Sequence, residues 1–189
     1  MKLQEHLIIA PQDIKNLVLI VANQAKKISG GFLTHTKFAG TKNIYGEEQL
    51  ELDKWADQSL IKAFEESSLV RSIASEEQDE IVQITKAKGS FGITMDPLDG
   101  VSCVQTNLSV GTIIGMYNEG DVLEKGNKMD AACFVLYGPL TTLVYAYKGK
   151  GCHEFALDPK TNEFVLRNES MQIPNGNIYG SGGLKSEWT

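Results

Sequence analysis

Two stretches near the start of the chain repeat apolar residues at intervals of three and four, which is typical of amphipathic helices. The first predicts a helix over 12–28, between Pro11 and the helix-stopping Gly30 and Gly31. Its apolar stripe comprises Ile14, Leu17, Val18, Val21, Ala22, Ala25 and Ile28. The second predicts a helix over about 48–65, with Asp53 in its first turns. Its stripe comprises Leu52, Trp55, Ala56, Leu60, Ala63 and Phe64.

Beyond residue 69 the pattern changes to short alternating or continuous apolar runs, which predict β-strands. The predicted strands are 70–74, 91–95, 108–117, 133–137, 141–147, 153–157 and 163–167. Because the helices come first and the strands follow, this order favours an α+β fold over a strict βαβ alternation. We expect a single domain over 1–189.

Composition and charge narrow the class of protein. The 189 residues are 42% hydrophobic and 22% charged, as in soluble globular domains. Eighteen basic and 24 acidic residues give a net charge of −6, which argues against a nucleic-acid partner. The longest uncharged run, 131–147, contains Gly138 and Pro139, so no membrane span is expected. Cys103, Cys133 and Cys152 form no CxxC pair, which favours reduced thiols and a cytoplasmic protein.

Two acidic clusters carry the candidate chemistry. Glu76 and Glu77 follow the predicted strand 70–74, and Asp96 and Asp99 follow the predicted strand 91–95. Sites of sheet proteins commonly form beyond the ends of buried strands, and carboxylates are the ligands that Mg²⁺ prefers. The plainer alternative is a solvated acidic loop, which we expect for Asp79 and Glu80. Taken alone, Asp53 and Glu47 would also be surface residues.

The second cluster, DPLDG at 96–100, has a predictable geometry. Pro97 fixes its own backbone and holds Asp96 extended, so that Asp96 and Asp99 can point to one side. The Leu98 carbonyl then lies between the two carboxylates. Gly100 lets the backbone approach a ligand closely, and the amides after it are candidates for binding phosphate.

The ordered set of motifs resembles the fructose-1,6-bisphosphatase family. The motifs are NIYGE at 43–47, Leu52 and Asp53, SEE at 75–77, DPLDG at 96–100 and LSVGTI at 108–113. The likeness runs from about residue 14 to about residue 180, nearly the whole chain. DPxDG alone also marks the wider group of lithium-sensitive sugar and inositol phosphatases, so the combination is what identifies the family.

The resemblance implies a layered α/β sandwich, of which this chain is the amino-terminal helix-plus-sheet half. It implies a phosphatase of carbohydrate metabolism (gluconeogenesis) that uses Mg²⁺, with Mn²⁺ as an alternative, to release the 1-phosphate of a sugar bisphosphate. The implied metal ligands are Glu76, Asp96, Asp99, the Leu98 carbonyl and Glu47. Glu77 and Asp53 are implied to orient the attacking water, and the amides of Gly100, Val101 and Ser102 to bind phosphate. The family also implies a homo-oligomer, dimeric or tetrameric.

The departures from the family pattern leave alternatives open. Val101 replaces a usual Ser but keeps its amide, and Gln105 replaces a usual Asp. The segments QTN at 105–107 and HEF at 153–155 are closer to sedoheptulose-1,7-bisphosphatase. Family members also continue past residue 189 with a half that binds the sugar and the 6-phosphate. Sedoheptulose-bisphosphatase, an inositol-monophosphatase-like activity and an inert binding module therefore remain alternatives.

Overall fold

The computed structural model of the chain describes residues 1–176 except 36–37, 43–47 and 120. Its helices are α1 (Leu3–His6), α2 (Gln12–Gly31) and α3 (Glu51–Ser67). Its strands are β1 (Phe38–Lys42), β2 (Glu48–Leu50), β3 (Val70–Ser75), β4 (Val82–Gln83), β5 (Phe91–Asp99), β6 (Val110–Asn118), β7 (Ala131–Tyr137), β8 (Thr141–Tyr147), β9 (Cys152–Asp158) and β10 (Glu163–Asn168). None of the helices in this described part is long and apolar enough to cross a membrane.

Eight of the described strands form one mixed sheet in the order β10-β9-β8-β7-β6-β5-β3-β4. The pair β3 and β5 is parallel, and every other neighbouring pair in this sheet is antiparallel. Helix α2 packs on β7 and β8, α3 packs on β3 and β5, and the two helices contact each other. Both helices therefore cover one face of the sheet, which confirms the predicted α+β layering.

The hydrophobic core lies between these helices and the sheet. All seven residues of the predicted α2 stripe are buried. In α3, Leu52, Ala56, Leu60 and Phe64 are buried, whereas Trp55 and Ala63 are half-buried. Along β7 the side chains alternate, so that Cys133 and Val135 are buried and Phe134 and Leu136 are exposed. The face of the sheet that carries Phe134 and Leu136 is thus partly apolar, and these side chains are exposed.

Two element predictions are corrected. Residues Glu48–Leu50 form β2 and pair with β1, so the second helix begins at Glu51 and not at residue 48. The order of helices before strands is therefore interrupted by a small two-stranded sheet. Strand β5 continues to Asp99 and not only to residue 95. Asp96 and Asp99 consequently lie within the end of a strand and not beyond it.

A buried cluster holds the amino-terminal residues against the β8 and β9 side of the sheet. His6 is buried, its Nδ1 lies 2.5 Å from the Tyr145 hydroxyl, and its ring centroid lies 4.5 Å from that of His153. His6 Nε2 has no hydrogen-bond partner among the described residues and lies 3.6 Å from a Glu169 carboxylate oxygen. Burial, and after it the His153 ring, lower the pKa of His6 below its ordinary 6.5, while Glu169 opposes this shift.

We expect the titration of His6 to lower the free energy of unfolding as the pH drops below about 6.5. In that range the unfolded chain takes up a proton on residue 6 before the folded chain does, so protonation favours unfolding. His6→Gln keeps a polar group towards Tyr145 but does not titrate, so the free energy of unfolding of the unaltered chain should fall relative to that of His6→Gln as the pH drops. Thermal unfolding of both proteins between about pH 5 and 8 measures the effect. A difference between the two proteins that stays constant over this pH range would contradict the assignment.

Candidate active site

The two acidic clusters meet because β3 and β5 are parallel neighbours. Ser75 at the end of β3 pairs with Met95 of β5, and the Glu76 N–H donates to the Met95 carbonyl over 3.1 Å. Glu76 therefore follows β3 beside Asp96 of β5. Parallel strands bring their carboxyl ends to the same edge of a sheet, where ligand sites commonly form. The structure thus brings the two clusters together as the sequence analysis expected.

A β-bulge in β5 sets the directions of its two aspartates. Asp96 pairs with Ile113 of β6 and Asp99 pairs with Gly111, so two residues of β5 oppose Thr112 alone. In a regular strand, side chains three positions apart point to opposite faces. The additional residue lets Asp96 and Asp99 share one face, which is a common use of bulges beside active sites.

Hydrogen bonds hold the bulge in this form. Pro97 has no N–H to donate, and its carbonyl accepts a hydrogen bond of 2.8 Å from the Thr112 hydroxyl. The Thr112 hydroxyl also lies 2.9 Å from the hydroxyl of buried Tyr137. Asp96 Oδ1 accepts the Leu98 N–H over 3.1 Å, as in an Asx-turn. A bulge tied to the neighbouring strands therefore sets the backbone of DPLDG.

Asp96 lies in a strongly acidic environment. Burial, a hydrogen bond with Glu76 and the charges of Glu76 and Asp99 raise its pKa to about 8, although the Leu98 N–H acts in the opposite direction. Like charges brought this close destabilise one another unless a proton or a cation lies between them. A set of carboxylate oxygens under such repulsion fits a hard divalent cation.

Asp53 lies in the first turn of α3, and α3 packs on β3 and β5. Its Oδ2 accepts the Leu50 N–H over 2.7 Å, as a residue at the third helical position often does. Its Oδ1 is buried and has no hydrogen-bond partner among the described residues. Burial raises the pKa of Asp53 to about 7, with smaller increases from Glu77 and Glu76 and an opposing effect of Leu50. The surface position expected from its sequence context alone is therefore wrong.

The segment after β5 turns sharply away from the sheet. Gly100 has a φ of 83°, a left-handed conformation that favours glycine, and Val101–Cys103 forms a 3-10 turn. The Cys103 N–H donates to the Gly100 carbonyl over 2.8 Å. The earlier amides of such a turn have no acceptor within it. Ser102 is exposed and Val101 is half-buried, so both remain available to a ligand at this turn.

The predicted ligand set is only partly described. Glu47 lies outside the described residues. Within the described part of the chain, no group of three or more His, Cys, Asp and Glu side chains is placed so that it could hold a metal ion. The charges of Glu76 and Asp99 nevertheless act on Asp96. The charges of Glu76 and Glu77 likewise act on Asp53. Asp53, Glu76, Glu77, Asp96 and Asp99 therefore lie in one neighbourhood.

Asp57 is a buried acid of this neighbourhood that the sequence analysis did not single out. It hydrogen-bonds Ser75 and Gln78, on either side of the two glutamates. A signal was present in the spacing, because residues 53, 57, 60 and 64 follow one another at intervals of four, three and four. That spacing puts Asp57 on the same helix face as the apolar residues Leu60 and Phe64.

A cavity of about 830 Å³ opens beside Glu76 and Asp96. Apart from these two acids its described lining is uncharged. The other lining residues are Ala74, Ser75, Thr94, Met95, Ile113, Ile114, Gly115, Leu123, Met129, Ala132, Cys133, Phe134, Val144, Ala146 and Cys152. This lining supplies room next to the carboxylates but no cationic side chain.

Comparison with known proteins assigns the family. The family model described as "Fructose-1-6-bisphosphatase, N-terminal domain" matches residues 4–169. The chain belongs to the fructose-1,6-bisphosphatase family. Members of this family are in general metal-dependent, which agrees with the oxygen donors found here.

Two relatives illustrate the likeness. A class 1 fructose-1,6-bisphosphatase of Methanocorpusculum labreanum is 46% identical over 189 residues, which covers 99% of this chain and 58% of that protein. The corresponding protein of Methanospirillum hungatei JF-1 is 43% identical over 176 residues, which covers 93% of this chain and 56% of that protein. The chain thus spans somewhat more than half the length of these fructose-1,6-bisphosphatases.

Solved structures support the fold. Fructose-1,6-bisphosphatase of Leishmania major in its holo form has a TM-score of 0.85 and 26% identity, over 92% of this chain and 60% of that one. A Toxoplasma gondii protein provisionally named sedoheptulose-1,7 bisphosphatase has a TM-score of 0.79 and 28% identity, over 89% and 59% of the two chains. The predicted fold, the amino-terminal portion of the fructose-1,6-bisphosphatase type, is confirmed.

Proposed function

We propose that the whole protein that carries these 189 residues is a metal-dependent phosphatase. It hydrolyses the 1-phosphate of fructose 1,6-bisphosphate to give fructose 6-phosphate and inorganic phosphate. The observation that carries this proposal is the meeting of Glu76 and Asp96 at the ends of parallel strands, beside the buried carboxyl of Asp53. Membership of the fructose-1,6-bisphosphatase family supports the choice of substrate.

The acidic residues divide into two groups by role. Glu76, Asp96, Asp99, the Leu98 carbonyl and Glu47 would hold Mg²⁺, or Mn²⁺ in its place. A divalent cation bound there supplies charge neutralisation for the phosphate oxygens and makes water easier to deprotonate. The amides of Gly100, Val101 and Ser102 would donate to the phosphate that is released, at the turn where Gly100 leaves the sheet.

Glu77 and Asp53 would orient the attacking water and accept its proton. The unpartnered Oδ1 of Asp53 offers an acceptor inside the site, and Glu77 lies near enough for its charge to affect Asp53. A pKa of about 7 lets Asp53 exchange a proton at neutral pH, which is the property that a general acid–base group needs.

We expect this chain to bind Mn²⁺ weakly and Asp96→Asn to remove most of that binding. The substitution deletes one negative charge from a set of oxygen ligands whose repulsion a cation relieves. Calorimetric titration of both proteins measures the effect. Asp79→Asn is the matched control, because Asp79 is exposed and its loss removes the same charge. Equal heats for the unaltered chain and Asp96→Asn would contradict the metal assignment.

Phosphate release by the whole protein tests the substrate. Fructose 1,6-bisphosphate, sedoheptulose 1,7-bisphosphate and an inositol monophosphate are compared with Mg²⁺, with Mn²⁺ and with a chelator. Sedoheptulose 1,7-bisphosphate is the second candidate because of the structural likeness to the Toxoplasma gondii protein. If phosphate is released from none of these three compounds, the result favours the inert binding module. The proposal includes a cytoplasmic homo-oligomer, which light scattering and cell fractionation test.

A further inference from the structure

Asp57 connects helix α3 to the turn that carries the two glutamates. Its side chain is 1% exposed and lies one helical turn after Asp53. Asp57 Oδ1 accepts a hydrogen bond of 2.6 Å from the Ser75 hydroxyl, and Oδ2 accepts one from the Gln78 side-chain amide. Each carboxylate oxygen thus binds a different end of the four-residue segment 75–78.

Backbone contacts also hold this segment, since the Glu76 N–H donates to the Met95 carbonyl over 3.1 Å. The Gln78 N–H donates to the Ser75 carbonyl over 3.3 Å, and the Glu77 N–H lies 3.3 Å from the Ser75 hydroxyl oxygen that Asp57 engages. Both of these contacts are long for hydrogen bonds. The two bonds to Asp57 are different in kind, because they join both ends of the turn to helix α3.

The two bonds of Asp57 link the position of the glutamate turn to that of Asp53. Helix α3 supplies both Asp53 and Asp57, and their spacing on the helix is fixed by its geometry. Because Asp57 holds both ends of 75–78, the backbone of Glu76 and Glu77 is fixed relative to Asp53. Side chains that supply metal ligands and accept a proton need such support from the residues behind them.

We propose that Asp57 is a positioning residue of the acidic site, which sets the directions of Glu76 and Glu77 by holding both ends of their turn. This inference rests on the proposed function, since it takes Glu76 as a metal ligand and Glu77 as the partner of Asp53. In this proposal Asp57 acts through the turn and has no direct role towards the metal or the substrate. The competing explanation is that Asp57 only stabilises the contact between α3 and β3.

The test is the affinity of this chain for Mn²⁺ alone, measured by calorimetry below the unfolding temperature of every variant. Asp57→Leu removes both acceptors while filling the same space, and we expect it to weaken Mn²⁺ binding about 10- to 100-fold. Asp57→Asn should retain most of the affinity. The amides of Asn and Gln78 can each rotate, so Ser75 and Gln78 can both still be bonded.

The matched control is Ser59→Ala, on the same helix. The Ser59 hydroxyl donates to Gln24 of α2 over 2.8 Å, so its loss also removes a bond between α3 and a neighbouring element, but one that does not involve the turn. We expect Ser59→Ala to lower stability slightly and leave the Mn²⁺ affinity unchanged. An equal loss of Mn²⁺ affinity in Ser59→Ala and Asp57→Leu would mean that general stability is responsible, which would overturn the inference.

Gln78→Met serves if Asp57→Leu does not fold. Gln78 is half-buried, and its substitution removes only one of the two bonds, so we expect a loss of about threefold or more in Mn²⁺ affinity. Unchanged affinity in Gln78→Met, or in a folded Asp57→Leu, overturns the inference while leaving the loss in Asp96→Asn intact. Absence of Mn²⁺ binding by the unaltered chain would instead overturn the proposed metal site, and this inference with it.

Discussion

Glu77→Gln in the whole protein should lower kcat for fructose 1,6-bisphosphate by about a hundredfold or more and change KM little. A neutral amide of the same shape still fills the space beside Asp53, but it cannot accept the proton of the attacking water. General-base contributions of this size act in the transition state, so the loss falls on kcat and not on substrate binding. Steady-state phosphate release over a range of substrate concentrations separates the two parameters.

Glu80→Gln is the matched control for this experiment. Glu80 lies three residues later in the same acidic run and is exposed, whereas Glu77 is half-buried beside the site. Both substitutions remove one negative charge from the same surface. If the two variants have the same near-normal kcat, Glu77 is only a neighbour of the site. If both lose activity equally, the effect is one of overall charge.

The parts of the fold that depend on local sequence were predictable. Every residue of the predicted α2 stripe is buried, because a helix brings positions three and four apart to one face regardless of the remaining chain. Strand β2 was not predictable in this way. It has three residues, and it exists through pairing with β1, which the pattern of Glu48–Leu50 does not encode. Those residues also suit the start of the helix that follows them.

The candidate site shows the same division between local and long-range information. The position of two acidic clusters after two strands can be predicted from the sequence. That β3 and β5 are parallel neighbours depends on how the whole sheet assembles. The bulge that turns Asp96 and Asp99 to one face depends on the register with β6. Asp57 was missed because an acidic residue on a helix is usually solvated.

The described surroundings of the acidic site offer little to a second phosphate group. A sugar bisphosphate carries one phosphate at the reacting end and another at the far end, which requires cationic or amide donors. The cavity beside Glu76 and Asp96 is lined by uncharged residues apart from these two acids. The chain also covers only 58% of the length of its Methanocorpusculum labreanum relative. Contacts to the remote phosphate are therefore expected from the rest of the whole protein.

These 189 residues alone should bind Mn²⁺ but hydrolyse fructose 1,6-bisphosphate at least about a thousandfold less efficiently than the whole protein. Contacts to remote parts of a substrate hold the reacting phosphate in position, and such positioning is worth roughly 7–11 kcal/mol of the barrier in favourable cases. Steady-state kcat/KM of both proteins at saturating Mg²⁺ measures the ratio, and Mn²⁺ titration verifies that the shorter chain keeps its metal site. Turnover by the 189 residues within tenfold of the enzyme median of about 10 per second would contradict this expectation. Such a result would mean that the donors needed for the remote phosphate already lie within this chain.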